Sequence, residues 1–256
     1  MNLLRAEWIK SKSVLSTWVL LAIALVITLG MAGLMSYLQT LDIEDANGDS
    51  AQMEFSAGDM VASTFGSFPS MLVWVVAIVL ICGEYRSGTI KNVFAVAPRR
   101  WDVYLVKTGF FIVAGAVISF VFTFLALILT YLVTGSDSLA PWSGDALLAN
   151  LRFTAYMAIA MVAMVGISFL LRNVAGTITL VIGWVFIIES VLSNLPRIGD
   201  AIGSWMPFQN GMAWAMDSAG SEFTKSLGNP ANILWFLAFA LLLWVGGLFA
   251  LYKRDA

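Results

Sequence analysis

The chain has 256 residues, 60% of them hydrophobic and 12% charged, with a formal net charge of -2. Soluble domains run at about 45–50% apolar and about 25% charged residues, so this composition excludes an ordinary water-soluble domain and, being apolar, a disordered chain as well. With no histidine and one cysteine, Cys82, it also excludes a His-dependent nucleophilic site, a His-ligated haem and an internal disulfide.

The first twelve residues, MNLLRAEWIKSK, place Leu4 and Trp8 one helical turn apart with Arg5 and Lys12 elsewhere on the wheel. This spacing predicts a short amphipathic helix over 1–12 lying in the membrane interface, the plainer alternative being a basic leader that only sets topology. Six uncharged or nearly uncharged runs follow, each near the roughly 20 residues needed to cross hydrocarbon. They are Val14 to Leu38, Val61 to Gly83, Thr108 to Thr134, Phe153 to Leu171, Val174 to Leu195 and Ala231 to Tyr252. The first reads as a retained anchor because it is longer than a signal-peptide core. Pro69 predicts a kink in the second, and Cys82 reads as a small buried hydrophobe near its end. The expectation is a single all-α polytopic membrane domain spanning 1–256.

Sorting charges by loop gives the orientation. Eleven basic residues against four acids, a net +7, fall on the side of the two termini, the second loop and Arg172. Three basic residues against eleven acids, a net -8, fall on the other side, with Glu189 left inside the fifth run. Lys and Arg collect on the cytoplasmic side, so both termini are expected there. Topology accounts for the basic residues, which leaves no reason to expect nucleic-acid binding.

The loop 84–101 is patterned as well as basic. Ile90, Val93, Phe94 and Ala97 recur at helical spacing, Pro98 stops the turn, and Arg99 and Arg100 follow. A short helix with an apolar face outside the bilayer calls for a partner, though a positive-inside loop without one is the plainer reading. Glu84, at the edge of the second run, is expected to pair with Arg86 or Lys107. The outer stretch 196–230 mixes glycines with Trp205, Met206, Phe208, Met212 and Trp214, which predicts short helices dipping into the outer leaflet. The acidic segment Asp42 to Asp59 reads as a solvated hairpin.

The order Glu84-x-x-x-Gly88-Thr89-Ile90, then Pro98-x-Arg100, placed between the second and third of six runs, resembles the permease subunit of ABC-2 type exporters. So do the amphipathic Glu7-Trp8-x-Lys10 start, the long last outer loop and the basic tail Tyr252-Lys253-Arg254. The resemblance covers the whole chain and implies that 84–101 is a coupling helix docking on an ATP-binding subunit. Glu84, Arg86, Gly88, Thr89, Ile90, Val93, Phe94, Pro98 and Arg100 would serve that contact. No Gly-x-x-x-x-Gly-Lys-(Ser/Thr) loop is present, so ATP and Mg would sit on a separate polypeptide, in two copies, and this chain would hold no cofactor or metal and perform no catalysis.

The resemblance also implies a second permease, identical or related. Ala24, Thr28, Ala32 and Ser36 form a small-residue stripe suited to a helix contact. With Gly176 and Gly183 they would face that second copy. Phe65, Phe68, Met71, Leu72 and Val75 from the second run, with Thr179, Ile182, Phe186 and Glu189 from the fifth, would line the substrate pathway, plain packing being the alternative for each. An ionisable residue within a span points to function by default; pairing of Glu189 with Arg197 or Arg152 is the other reading. The function implied is multidrug or antibiotic efflux across the bacterial cytoplasmic membrane: ATP-driven export of a hydrophobic or amphiphilic drug, antibiotic or antimicrobial peptide. The alternatives are ABC-2 export of lipid or ions and, from another class, an ion- or proton-coupled carrier, for which only Pro69 and Glu189 speak. An intramembrane enzyme is disfavoured by the missing histidine and the scarcity of acids within the runs.

Overall fold

A computed structural model describes residues 3–45, 56–66, 68–96, 99–193, 195, 202–216, 227 and 230–253. Among these residues there is no strand, and six helices are long and apolar enough to cross a membrane. The helices are α1 (Leu3–Ser13), α2 (Leu15–Asp45), α3 (Ala57–Val61), α4 (Phe68–Arg86), α5 (Thr89–Val96) and α6 (Arg100–Thr134). They continue with α7 (Gly144–Leu171), α8 (Val174–Ile182), α9 (Ser190–Ser193), α10 (Pro207–Ala215) and α11 (Ala231–Lys253). Two π-helical stretches interrupt this order, Ala62–Gly66 before α4 and Gly183–Glu189 between α8 and α9.

Local chemistry sets several of these boundaries. Ser56 and Asp59 form a capping box that starts α3, inside the segment read as a solvated hairpin, of which residues 46–55 lie outside the described residues. Pro69 is the second residue of α4, where its missing N–H is needed by no helical bond. The π-helical stretch Ala62–Gly66 runs up to it, with residue 67 outside the described residues. The link between α7 and α8 is two residues long: Arg172 takes a left-handed conformation (φ 54°) to end α7, and Asn173 accepts the Gly176 N–H at 2.9 Å to start α8. The Arg172 guanidinium donates to the Ala250 carbonyl of α11 at 2.9 Å, tying this tight turn to the last span.

α7 is the centre of the bundle and packs against α6, α11 and α4. Its approach to α11 is made by glycine: a Cβ on Gly166 would lie 2.5 Å from the Leu243 carbonyl, and one on Gly247 would strike the Gly166 carbonyl. Close backbone approach through small residues is how helices associate in lipid, where hydrophobic drive between them is absent. Gly166→Val is expected to lower stability by about 1–3 kcal/mol through overpacking. The thermal midpoint of the purified protein reads this, and an unchanged midpoint would show that the two helices can part freely.

The stripe Ala24, Thr28, Ala32 and Ser36 requires a correction. All four residues are fully buried within the single chain, on the face of α2 that meets α4 and α6. The Thr28 and Ser36 hydroxyls donate to the Ala24 and Ala32 carbonyls one turn back, so no polar atom is left to seek a partner. Small residues at one-turn spacing identify a face that is closely packed, and here the neighbours are the chain's own spans.

Candidate functional site

The membrane face that carries α1 and α5 holds a buried cluster of four charges. Glu84, two residues before the end of α4, accepts at Oε1 from Lys10 Nζ of α1 at 2.5 Å and from Lys107 Nζ of α6 at 2.7 Å. Lys107 also pairs with Glu7 of α1, and Lys10 donates further to the Leu80 carbonyl at 2.6 Å. Lys107 is fully buried, and Glu7 and Glu84 are nearly so. Two cations against two carboxylates leave no net charge, and each ion is hydrogen-bonded, the condition under which buried ions are tolerated. Burial, and next the neighbouring charge of Lys107, pull the Lys10 ammonium below the usual lysine pKa.

This cluster fastens the amphipathic helix to the end of one span and the start of the next, and α5 hangs between those two points. The chain leaves α4 through Ser87 and Gly88, the latter at φ +70°, a conformation glycine adopts without steric cost. The Ser87 and Thr89 hydroxyls hydrogen-bond at 2.9 Å across this turn. Ile90 is buried, only 2% exposed, and Phe94 packs on the core with the Arg100 guanidinium 5.6 Å from its ring. Val93 is half-buried. Ile90 thus finds cover within the chain, while Val93 and Phe94 keep part of their surface open. Arg86, Gly88, Thr89, Lys91 and Arg99 remain exposed, so the outward surface is basic and polar. Arg100 donates to the Leu251 carbonyl of α11 at 3.2 Å, and Pro98 lies outside the described residues.

Of the two partners considered for Glu84, Lys107 is the one bonded, and Arg86 points to solvent. The contributions of Glu7 and Lys10 escaped the sequence reading. Their signal was an acid on an otherwise basic segment, three residues from a lysine, a spacing that puts both on neighbouring turns of one helix.

The residues assigned to a pathway separate into two groups. Phe65 and Met71 are buried, Phe65 edge-to-face with Phe122 at 5.9 Å. Phe68, Thr179, Ile182 and Phe186 are exposed, and Leu72 and Val75 are half-buried on the open stripe of α4, which packs beside α8. Gly183 has open space where a Cβ would stand, and Gly176 is exposed. Glu189 belongs to neither group's surface. It is fully buried and accepts from the Phe208 N–H (3.1 Å), the Gln209 N–H (2.9 Å) and the Trp184 indole N–H (2.9 Å). Phe208 and Gln209 open α10, so the carboxylate caps that helix at the end where orphan N–H groups and the positive end of the dipole favour an anion. Arg197, one of the two partners expected for Glu189, lies outside the described residues, as do Lys225 and Arg254. Cys82 is buried, its thiol 3.5 Å from the Ser168 carbonyl and 3.7 Å from the Thr177 hydroxyl.

A family model described as "ABC-2 family transporter protein" matches residues 3–190. No curated protein and no solved structure matches the chain.

Proposed function

Because the chain belongs to the ABC-2 family of transporter proteins, a family of membrane subunits that carry no ATP-binding cassette and work with one supplied by a partner, we propose that it is the permease of an ATP-driven exporter. Two copies, or one copy and a related permease, pair in the bacterial cytoplasmic membrane with both termini inside, and two ATP-binding subunits dock beneath. The observation that carries this reading is the anchoring of α5: its apolar side is held by the chain through Ile90 and Phe94, while Arg86, Lys91 and Arg99 face outward. A helix secured this way passes a push from below to α4 and α6 directly, because Glu84 and Lys107 join the two spans at its root. The contact with the ATPase is then mainly polar and basic, with the partner supplying acidic groups.

The open faces of α4 and α8 support the view of what is moved. Phe68, Leu72, Val75, Ile182 and Phe186 present an apolar, partly aromatic surface, suited to a hydrophobic or amphiphilic compound between two permeases, hence drug or antibiotic efflux. Glu189, bonded to three donors, lends no support to a proton-coupled carrier.

Pull-down of the tagged chain from its native membrane tests the proposal. A stoichiometric ATP-binding protein is the expected result, and recovery should fall about tenfold or more when Arg86→Glu and Lys91→Glu are combined. Transport that persists with no ATPase attached would overturn the reading.

A further inference from the structure

One cavity plays no part in the reading above. It lies between α1, α2, α4 and α6, has a volume of about 670 Å³, and reaches from the end of α1 down to Val117 and Ile118 of α6. Gly109 and Ile118 lie nine positions apart on α6, roughly 14 Å at 1.5 Å per residue, so the cavity is long. Its floor is formed by core residues that are nearly or fully buried, Val73 and Ala77 of α4 and Phe111 of α6. Its size lies within the about 300–1,000 Å³ typical of small-molecule sites.

The polarity of the cavity is one-ended. Its walls are apolar except at the α1 end, where Ser11, Lys12 and Thr17 contribute the polar groups. Lys12 stands there 4.7 Å from the Trp8 ring, and the Trp18 indole donates to the Lys12 carbonyl at 3.0 Å. Lys12 has no carboxylate partner among the described residues, unlike Lys10 and Lys107 on the neighbouring cluster. Tryptophans with a cation mark the headgroup level of a bilayer, and an unpaired basic residue there attracts anionic lipid. A long apolar slot closed by one positive charge complements a molecule with an apolar tail and an anionic head.

We propose that this cavity is a binding site for one anionic phospholipid of the leaflet that holds α1, an acyl chain lying along α6 and the phosphate meeting Lys12. The site is part of the fold. Leu4, Trp8, Ser11 and Lys12 border the cavity from α1, and the Glu7–Lys107 and Lys10–Glu84 pairs hold that helix in place over it. Because the lipid sits on the single chain, the proposal stands whether or not an ATPase partner or a second permease is found.

Native mass spectrometry of the purified permease, titrated with phosphatidylglycerol or phosphatidylcholine, tests it. The wild type is expected to retain one saturable phosphatidylglycerol in preference to phosphatidylcholine. Lys12→Ala should weaken phosphatidylglycerol about fivefold and leave phosphatidylcholine unchanged. Gly109→Leu, which fills the slot at a position where a Cβ meets nothing within 4 Å and which helix propensity favours, should remove the saturable lipid altogether; Ala114→Phe on the same wall is the second blocking variant. Absence of saturable lipid on the wild type, its survival in both blocking variants, or equal loss of the two lipids in Lys12→Ala would each overturn the proposal.

Discussion

Replacing Lys107 with methionine is expected to destabilise the permease by about 3–5 kcal/mol, the usual cost of breaking a buried ion pair from one side. The reason is specific to the geometry. Lys107 is the cation shared by Glu7 and Glu84, and without it two buried carboxylates are left to Lys10, which already bonds Glu84 and the Leu80 carbonyl. The double variant Glu7→Gln with Lys107→Met removes one charge of each sign and keeps the Lys10–Glu84 pair, so it should recover a substantial part of the loss. Thermal unfolding of the purified permease measures both. If the two losses simply add, the four charges are not a coupled unit and α1 is not fastened in the way described.

Glu189→Ala is the second large effect, at about 2–4 kcal/mol. Each donor left buried without an acceptor costs about 1–3 kcal/mol, and the substitution strands the Phe208 and Gln209 N–H groups together with the Trp184 indole. The start of α10 is expected to loosen, read as a lower thermal midpoint and faster limited proteolysis around residues 202–209. Glu189→Gln, which keeps an acceptor oxygen but adds an amide that faces donors, should fall between the two. Substrate range is expected to stay unchanged in whatever protein remains folded. A normal midpoint with an altered range would instead place the carboxylate on the pathway.

The six spans were legible because each is an apolar run of membrane length, and length with hydropathy decides that question almost alone. The Glu84–Lys107 pair was legible too, since an acid at the edge of a span needs a nearby cation. What periodicity could not supply was the identity of the neighbour. Ala24, Thr28, Ala32 and Ser36 mark a packed face equally well for a contact inside the chain and for one between chains, and they are buried inside. Ile90 shows the same ambiguity: an apolar residue on a short helix between spans needs cover, and α5 folds back to find it at home. The capping of α10 by Glu189 joins residues about twenty positions apart, and no local pattern in either segment announces it.

The π-helical stretch Gly183–Glu189 decides which way that carboxylate faces. At about 100° per residue, a continuous α-helix would carry Glu189 some 80° past buried Val181, toward the side on which Ile182 and Phe186 lie open. The slower winding of i→i+5 turns takes back part of that angle and returns the carboxylate to the interior. The fifth span is thus out of phase with itself, its two halves indexed to different neighbours. A wider turn of backbone keeps a negative charge off the apolar surface two residues away, and a single-residue deletion within 183–188 would let the span wind as a plain α-helix with the carboxylate still turned inward, about 20° from Val181 at 100° per residue.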